Sequence, residues 1–226
     1  MFRVSSLHGS IVDSVLSLRG TAPIDDEYYT EVTRATEPFA IQLKNEERGN
    51  VLTLDLSNIT FTKDLYDSEK AFNIEDTLKE FRVVWKQVND VLHVKDIRRI
   101  GMVVEHQLAV EKGNPSVALL KKLTGVEAGS HVAKFYLHFE ERSTTKKGGI
   151  PDFTKDDFIN VIRDYYDSER DTDHPRDGHF NVNLDVQRYY SPLFNGNVFD
   201  EVTVFRQQLI KQEELLEKDL KQRGLL

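Results

Sequence analysis

The chain has 226 residues with a net charge of -8, 39% apolar residues, 30% charged residues and no cysteine. That is enough chain to bury a core as one large domain or two small ones. It leaves no material for a disulfide framework or a thiolate metal site, and it fits a reducing compartment. The opening Met1-Phe-Arg-Val-Ser-Ser-Leu-His-Gly-Ser10 lacks the apolar run of a signal peptide, and no window holds 18 consecutive apolar residues. A cytoplasmic protein with no membrane partner is the expectation.

Period-two and period-3.6 patterns give the elements in chain order. Ile11–Arg19 reads as a strand and Asp25–Ala35 as a short charged helix. Phe39–Lys44 and Val51–Thr62 read as a hairpin around Glu46-Glu-Arg-Gly-Asn50. Ile74, Leu78, Phe81, Trp85, Val88 and Leu92 draw one stripe along a helix, Ile74–Leu92, with Asn73 at its N-cap. Trp85 is expected in the core. A strand follows at Ile97–Leu108 and a short helix at Ser116–Leu123.

The second half opens on the alternating strand His131–Arg142 and the loop Ser143–Pro151. Thr154 and Asp157 suggest a capping box for a helix to Tyr166, with Phe158, Val161, Ile162 and Tyr165 on its buried side. The acidic loop Asp167–Gly178 leads to a strand, His179–Tyr190, and a terminal helix from Phe199 to Arg223.

Leu54-Asp55-Leu56 echoes Leu184-Asp185-Val186, each upstream of a long helix. The predicted fold is therefore α+β: a two-layer, mostly antiparallel sheet with long helices on one face and an internal pseudo-repeat. Residues 1–112 and 113–226 form its halves, merged into one domain.

Leu54-Asp55-Leu56, the loop with Tyr66, the amphipathic helix and the strand Asp96-Ile-Arg-Arg-Ile-Gly-Met-Val-Val104 resemble an uncharacterised, sporadically distributed bacterial family. That family has a strand of the Arg-Ile-Gly type after its first long helix and a strand of the Leu-Asp-Val type before its terminal helix. The resemblance spans residues 38–222. It departs from the family at Met102, Val103 and Val104. It implies a bacterial source and this fold, with no activity to carry over. By analogy, patchily distributed families sit in mobile-element or phage-defence loci.

No phosphate loop, dinucleotide fingerprint, nucleophile elbow or zinc-protease motif is present, and no cofactor is expected. Three groups of residues could carry function. The first is the polar side of the alternating strands: Thr53, Asp55, Ser57, Tyr136, His138, Glu140, His179, Asn181, Asn183, Asp185 and Gln187. Asp55, Tyr136, His138, Glu140, Asn183 and Asp185 are its binding candidates. A histidine oriented by a carboxylate can act as a base, so His138, Asp185 and His179 are the catalytic candidates. A wet face of an antiparallel sheet gives the same alternation without any function.

The second is Asp171-Thr-Asp-His-Pro-Arg-Asp-Gly-His179, where Asp171, Asp173 and Asp177 could ligate a divalent ion. The spacing fits neither an EF-hand nor a zinc site. The third is a basic middle, ten basic against six acidic residues over 95–150. It offers phosphate contacts at Arg98, Arg99, Lys121, Lys122, Lys134, Arg142, Lys146 and Lys147.

The reading these residues favour is a non-enzymatic interaction or accessory subunit. It would recognise another protein, or a second copy of itself, through the polar face and the terminal helix. The alternatives are a small hydrolase or nuclease and, less favoured, a nucleic-acid-binding module.

Overall fold

A computed structural model describes residues 4–34, 41–64, 73–110, 113–143, 149–167 and 178–226. The chain divides into two compact units, Met1–Lys95 and Asp96–Leu226, each with its own four-stranded antiparallel sheet.

The first unit begins with helix α1, Val4–Leu16. The strand expected at Ile11–Arg19 is not formed. Ile11, Val15 and Leu18 recur at helical spacing and are all buried, so a helix face outweighs the β-branched composition. The short helix expected at Asp25–Ala35 gives way to turns and strand β1, Glu31–Arg34.

Strands β2 (Ile41–Asn45), β3 (Asn50–Leu54) and β4 (Ile59–Lys63) continue a meander in the order β1-β2-β3-β4. The hairpin at 46–49 forms where the Gly-Asn signal lies, with Asn45 facing Asn50. Gly49 is required there. Its φ is +65°, and an added Cβ would lie 2.0 Å from the Asp64 carbonyl oxygen. The run Val51–Thr62 is two strands, not one, because Asp55 folds the chain back. Its Oδ1 accepts from the backbone N–H groups of Ser57 and Asn58, each at 2.6 Å.

Helix α2, Ile74–Leu92, forms as read, and the Asn73 side chain accepts from the Glu75 N–H. Leu78, Val84 and Val88 are its buried residues, and the last two join Ile11, Leu43, Leu52 and Leu54 in the core. Trp85 sits half-buried at the margin, stacked on Phe81.

The second unit contains β5 (Ile97–Ala109), α3 (Pro115–Leu119) with a wider helical turn at Leu120–Thr124, β6 (Tyr136–Ser143), β7 (Phe158–Asp167), β8 (His179–Phe194) and α4 (Val198–Arg223). The strand order is β5-β8-β7-β6. Because β5 pairs with β8 from Ile97 to Ala109, the chain divides after Lys95 and not at residue 112.

The helix expected from Thr154 to Tyr166 is strand β7. Thr154 belongs to a turn, held by Asp152 Oδ1 on its N–H and its hydroxyl. Phe158, Val161, Ile162 and Tyr165 happen to fall at helical spacing. They belong to a central strand buried on both sides, whose period of two is therefore hidden.

Phe180, Val182, Leu184 and Val186 of β8 are each fully buried. α4 covers that side with Val202, Phe205, Leu209, Leu216 and Leu220. Arg163 donates to Gln212 at 2.8 Å, and His106 lies 3.2 Å from Glu213. Burying each of those apolar side chains contributes about 1.5–3 kcal/mol.

One merged sheet is not formed: the strand near 54 belongs to the first sheet, and those near 137 and 184 belong to the second, where β7 separates them. Leu54-Asp55-Leu56 leaves β3 for a turn, whereas Leu184-Asp185-Val186 lies in the middle of β8. The two units also differ in strand order, so the echo in sequence is not an echo in structure.

Candidate functional site

Antiparallel register places four rows of side chains on the face of the second sheet opposite α4. Reading from β5 to β6, the rows are Gln107–Asn181–Tyr166–Tyr136, Glu105–Asn183–Asp164–His138, Val103–Asp185–Ile162–Glu140 and Gly101–Gln187–Asn160–Arg142. Edge residues of β5 and β6 are mostly exposed, whereas Asn160, Asp164, Asn181 and Gln187 in the middle are buried. At one end Phe153 packs on Phe158, Tyr189 and the Arg142 guanidinium.

Asp164 organises one edge. Its Oδ1 lies 2.6 Å from His138 Nδ1 and accepts from the Tyr136 hydroxyl at 2.9 Å, while Oδ2 accepts from Asn183 Nδ2 at 3.2 Å. Facing a carboxylate, His138 Nδ1 carries the proton of this contact. The partner of His138 is thus Asp164, on the segment whose spacing predicts a helix but which forms β7.

Asp185 is two strands away from His138, and His179 stands four residues beyond Asn183 at the end of β8. At about 4.8 Å per strand and about 3.3 Å per residue, His138, Asp185 and His179 are too far apart to form one catalytic set.

Asp185 is nevertheless unusual. Burial pushes its carboxyl above the usual range, aided by Asp164, although Gln187 and Arg99 oppose the rise. Its Oδ2 accepts from Gln187. Gly101, opposite Gln187, leaves room beside it: an added Cβ there would come within 3.1 Å of Gln187 Cγ and 3.6 Å of Asp185 Oδ1. Glu140 is held below the carboxylate range mainly by the Asn160 amide, against burial, and further by Arg142.

The middle of the face shares one pattern. Asn160 donates its amide to Glu140, Asn181 to Glu105 and Asn183 to Asp164. The matching Oδ1 atoms of all three, together with Asp185 Oδ1, are buried without a hydrogen-bond partner. These four acceptors, one in each row, and the Arg142 Nε donor in the row of Asn160 are buried without a partner, a state that costs about 1–3 kcal/mol per group.

The other expected sites are dispersed. Asp55 lies in the first unit as a turn organiser: burial raises its carboxyl, but the Ser57 and Asn58 N–H groups outweigh this and hold it low. Thr53 and Ser57 are there too. Arg98 clamps the carbonyls of Phe153, Asp156 and Tyr190, and Arg99 rests on Tyr189. Lys121 pairs with Glu127, and the Lys122 carbonyl accepts from Arg223. Tyr190 bonds Glu201 near the start of α4, so the Arg98–Arg99 and Lys121–Lys122 pairs lie roughly 30 Å apart along that helix.

Lys146, Lys147, Asp171, Asp173 and Asp177 lie outside the described residues. Among those described, no cluster of three His, Asp or Glu side chains could hold a metal ion. No described helix is long and apolar enough to cross a membrane.

No family model, no curated protein and no solved structure matches the chain. These comparisons carry no family, function or defence role over to it.

Proposed function

We propose that the chain is a non-enzymatic interaction subunit whose second unit recognises another protein through the polar sheet face, by taking up N–H donors from basic side chains. One observation carries this reading: Asn160, Asn181, Asn183 and Asp185 hold buried, unpartnered acceptor oxygens just beneath the surface of the face opposite α4, among the exposed Glu105, Tyr136, His138 and Glu140. A ligand rich in N–H groups removes a penalty already present in the free protein, and that difference is binding free energy. Glu105, Glu140 and Asp164 add the charge that guanidinium or ammonium groups seek. The exposed Tyr136 and His138 form a rim of the kind that interfaces favour.

Labelled tetra-arginine and tetra-glutamate peptides, followed by fluorescence anisotropy, test the reading. Tetra-arginine is expected to bind and tetra-glutamate not. A net charge of -8 attracts any cation, so the control must leave charge alone. Asn183→Leu does so, and it is expected to weaken tetra-arginine roughly tenfold while the protein stays folded. Binding indifferent to Asn183→Leu would refute the reading.

A second reading, a hydrolase, draws support from the 2.6 Å contact between His138 and Asp164. No serine or threonine occupies the four rows, so such an enzyme would use His138 Nε2 to activate water. Hydrolysis of activated phosphate or carboxylate esters, abolished by His138→Ala, would favour it. Intact arginine-peptide binding with no turnover favours the interaction subunit.

A further inference from the structure

Strand β5 has 13 residues and pairs with β8 on one side only. Among the described residues no strand covers its outer side. Long free edges are templates for further pairing, and proteins usually blunt them with lysine, proline, bulges or brevity. β1 and β4, the edges of the first sheet, have four and five residues. β6 has eight and carries Glu140, Glu141 and Arg142. β5 contains neither lysine nor proline, its charged residues Arg98, Arg99 and Glu105 leave residues 100–104 between them uncharged, and its one irregularity lies at its start, between Ile97 and Arg99. Gly101, Val103, Glu105 and Gln107 are all exposed, Val103 to 59%.

We infer that β5 is a self-association edge, pairing antiparallel with β5 of a second copy about a two-fold axis at Met102 and joining two second-unit sheets into one of eight strands. The charge pattern selects this register. With Met102 opposite itself, Arg99 of each copy faces Glu105 of the other, so one favourable pair is made twice by symmetry. Both residues point to the polar face, and among the described residues neither has a salt-bridge partner.

On the α4 side the same register sets Ile100 against Val104 and Met102 against Met102, an apolar strip continuous with the buried side of β8. Centring one residue later puts Arg99 opposite Gln107, and one residue earlier opposite Val103. The ion pair is lost in either case. Only isologous pairing closes. Head-to-tail pairing of β5 with β6 would propagate without end.

The absence of cysteine makes the register directly measurable in the full-length chain. In the stated register, facing Met102 Cα atoms are about 4.5–5.5 Å apart, within disulfide range. The two Leu108 positions are roughly 40 Å apart. Met102→Cys is expected to form a disulfide-linked dimer on mild oxidation, and Leu108→Cys to remain monomeric.

Light scattering across a concentration series should show a reversible dimer of the wild type. Arg99→Glu or Glu105→Arg should weaken it roughly tenfold, and the double exchange should restore it. Thermal melts by circular dichroism establish that each variant is folded. A strict monomer at every concentration, cross-linking of Leu108→Cys as rapid as that of Met102→Cys, open-ended polymers, or folded single and double variants that associate alike would each overturn the inference. If a charge variant fails to fold, the cysteine pair alone decides the matter.

Discussion

Replacing Asp164 by alanine is expected to destabilise the second unit by about 3 kcal/mol, the larger of two effects centred on the polar face. The carboxylate is buried and receives hydrogen bonds from Tyr136, His138 and Asn183. Alanine removes the acceptor that orients all three and leaves a polar floor with nothing to hold the Asn183 amide. Asp164→Asn keeps the volume and should lose about half as much, because an amide still accepts through its oxygen but no longer carries the charge that His138 faces. Urea unfolding read by near-UV circular dichroism, to which the tyrosines of this sheet contribute, gives the difference. Trp85 belongs to the first unit, so its fluorescence reports that unit separately. A change below about 0.5 kcal/mol for the alanine variant would mean that Asp164 is not the organiser of that edge.

Asp185→Asn is expected to act in the opposite direction, stabilising the protein at neutral pH by about 1 kcal/mol while weakening its binding of arginine peptides. Burial raises the Asp185 carboxyl in the folded state, so the native protein holds this proton more tightly than the unfolded chain does. Its contribution to stability is therefore fully present below the ordinary carboxylate range. That contribution is lost as pH rises through the raised value. Asparagine is uncharged at every pH and brings an N–H donor to oxygens that lack one. Wild type and variant should have similar stability near pH 3 and diverge as pH increases toward 7. Parallel stability curves over that range would show that Asp185 ionises in the fold as it does in water.

Both effects arise from residues whose legibility in the sequence differed. Asp185, Asn183, Tyr136, His138 and Glu140 stood out because β6 and β8 each have one apolar side, so period-two alternation sorted their polar residues onto a single face. Asp164 and Asn160 were hidden. They sit on a central strand whose other side carries Val161, Arg163 and Tyr165 under α4, and because its residues are buried on both faces it has no alternation to detect. The aromatic and β-branched composition of Phe158–Tyr166 was the signal that could have identified it as a strand.

α2 and α4 were legible nearly residue by residue, since their stripes and the Asn73 cap are local features. Separation into two sheets was not, because pairing partners are non-local. The turn signal at 46–50 pairs Val51–Leu54 with Ile41–Asn45, but nothing in the run states that its other side pairs with Ile59–Lys63 instead of with β8. The unpartnered oxygens of Asn160, Asn181 and Asn183 are likewise a product of the register that sets each amide beside a carboxylate.

That shortage of donors can be measured atom by atom. Titrating isotopically labelled protein with tetra-arginine and recording the asparagine side-chain amide resonances reports on Asn160, Asn181 and Asn183 individually. Their carbonyl oxygens are expected to gain hydrogen bonds as peptide is added. The amide signals should shift in proportion to occupancy, while Asn45 and Asn50 in the first unit stay still. Unmoved signals from the three asparagines at peptide concentrations that saturate the anisotropy signal would contradict a recognition surface at this face.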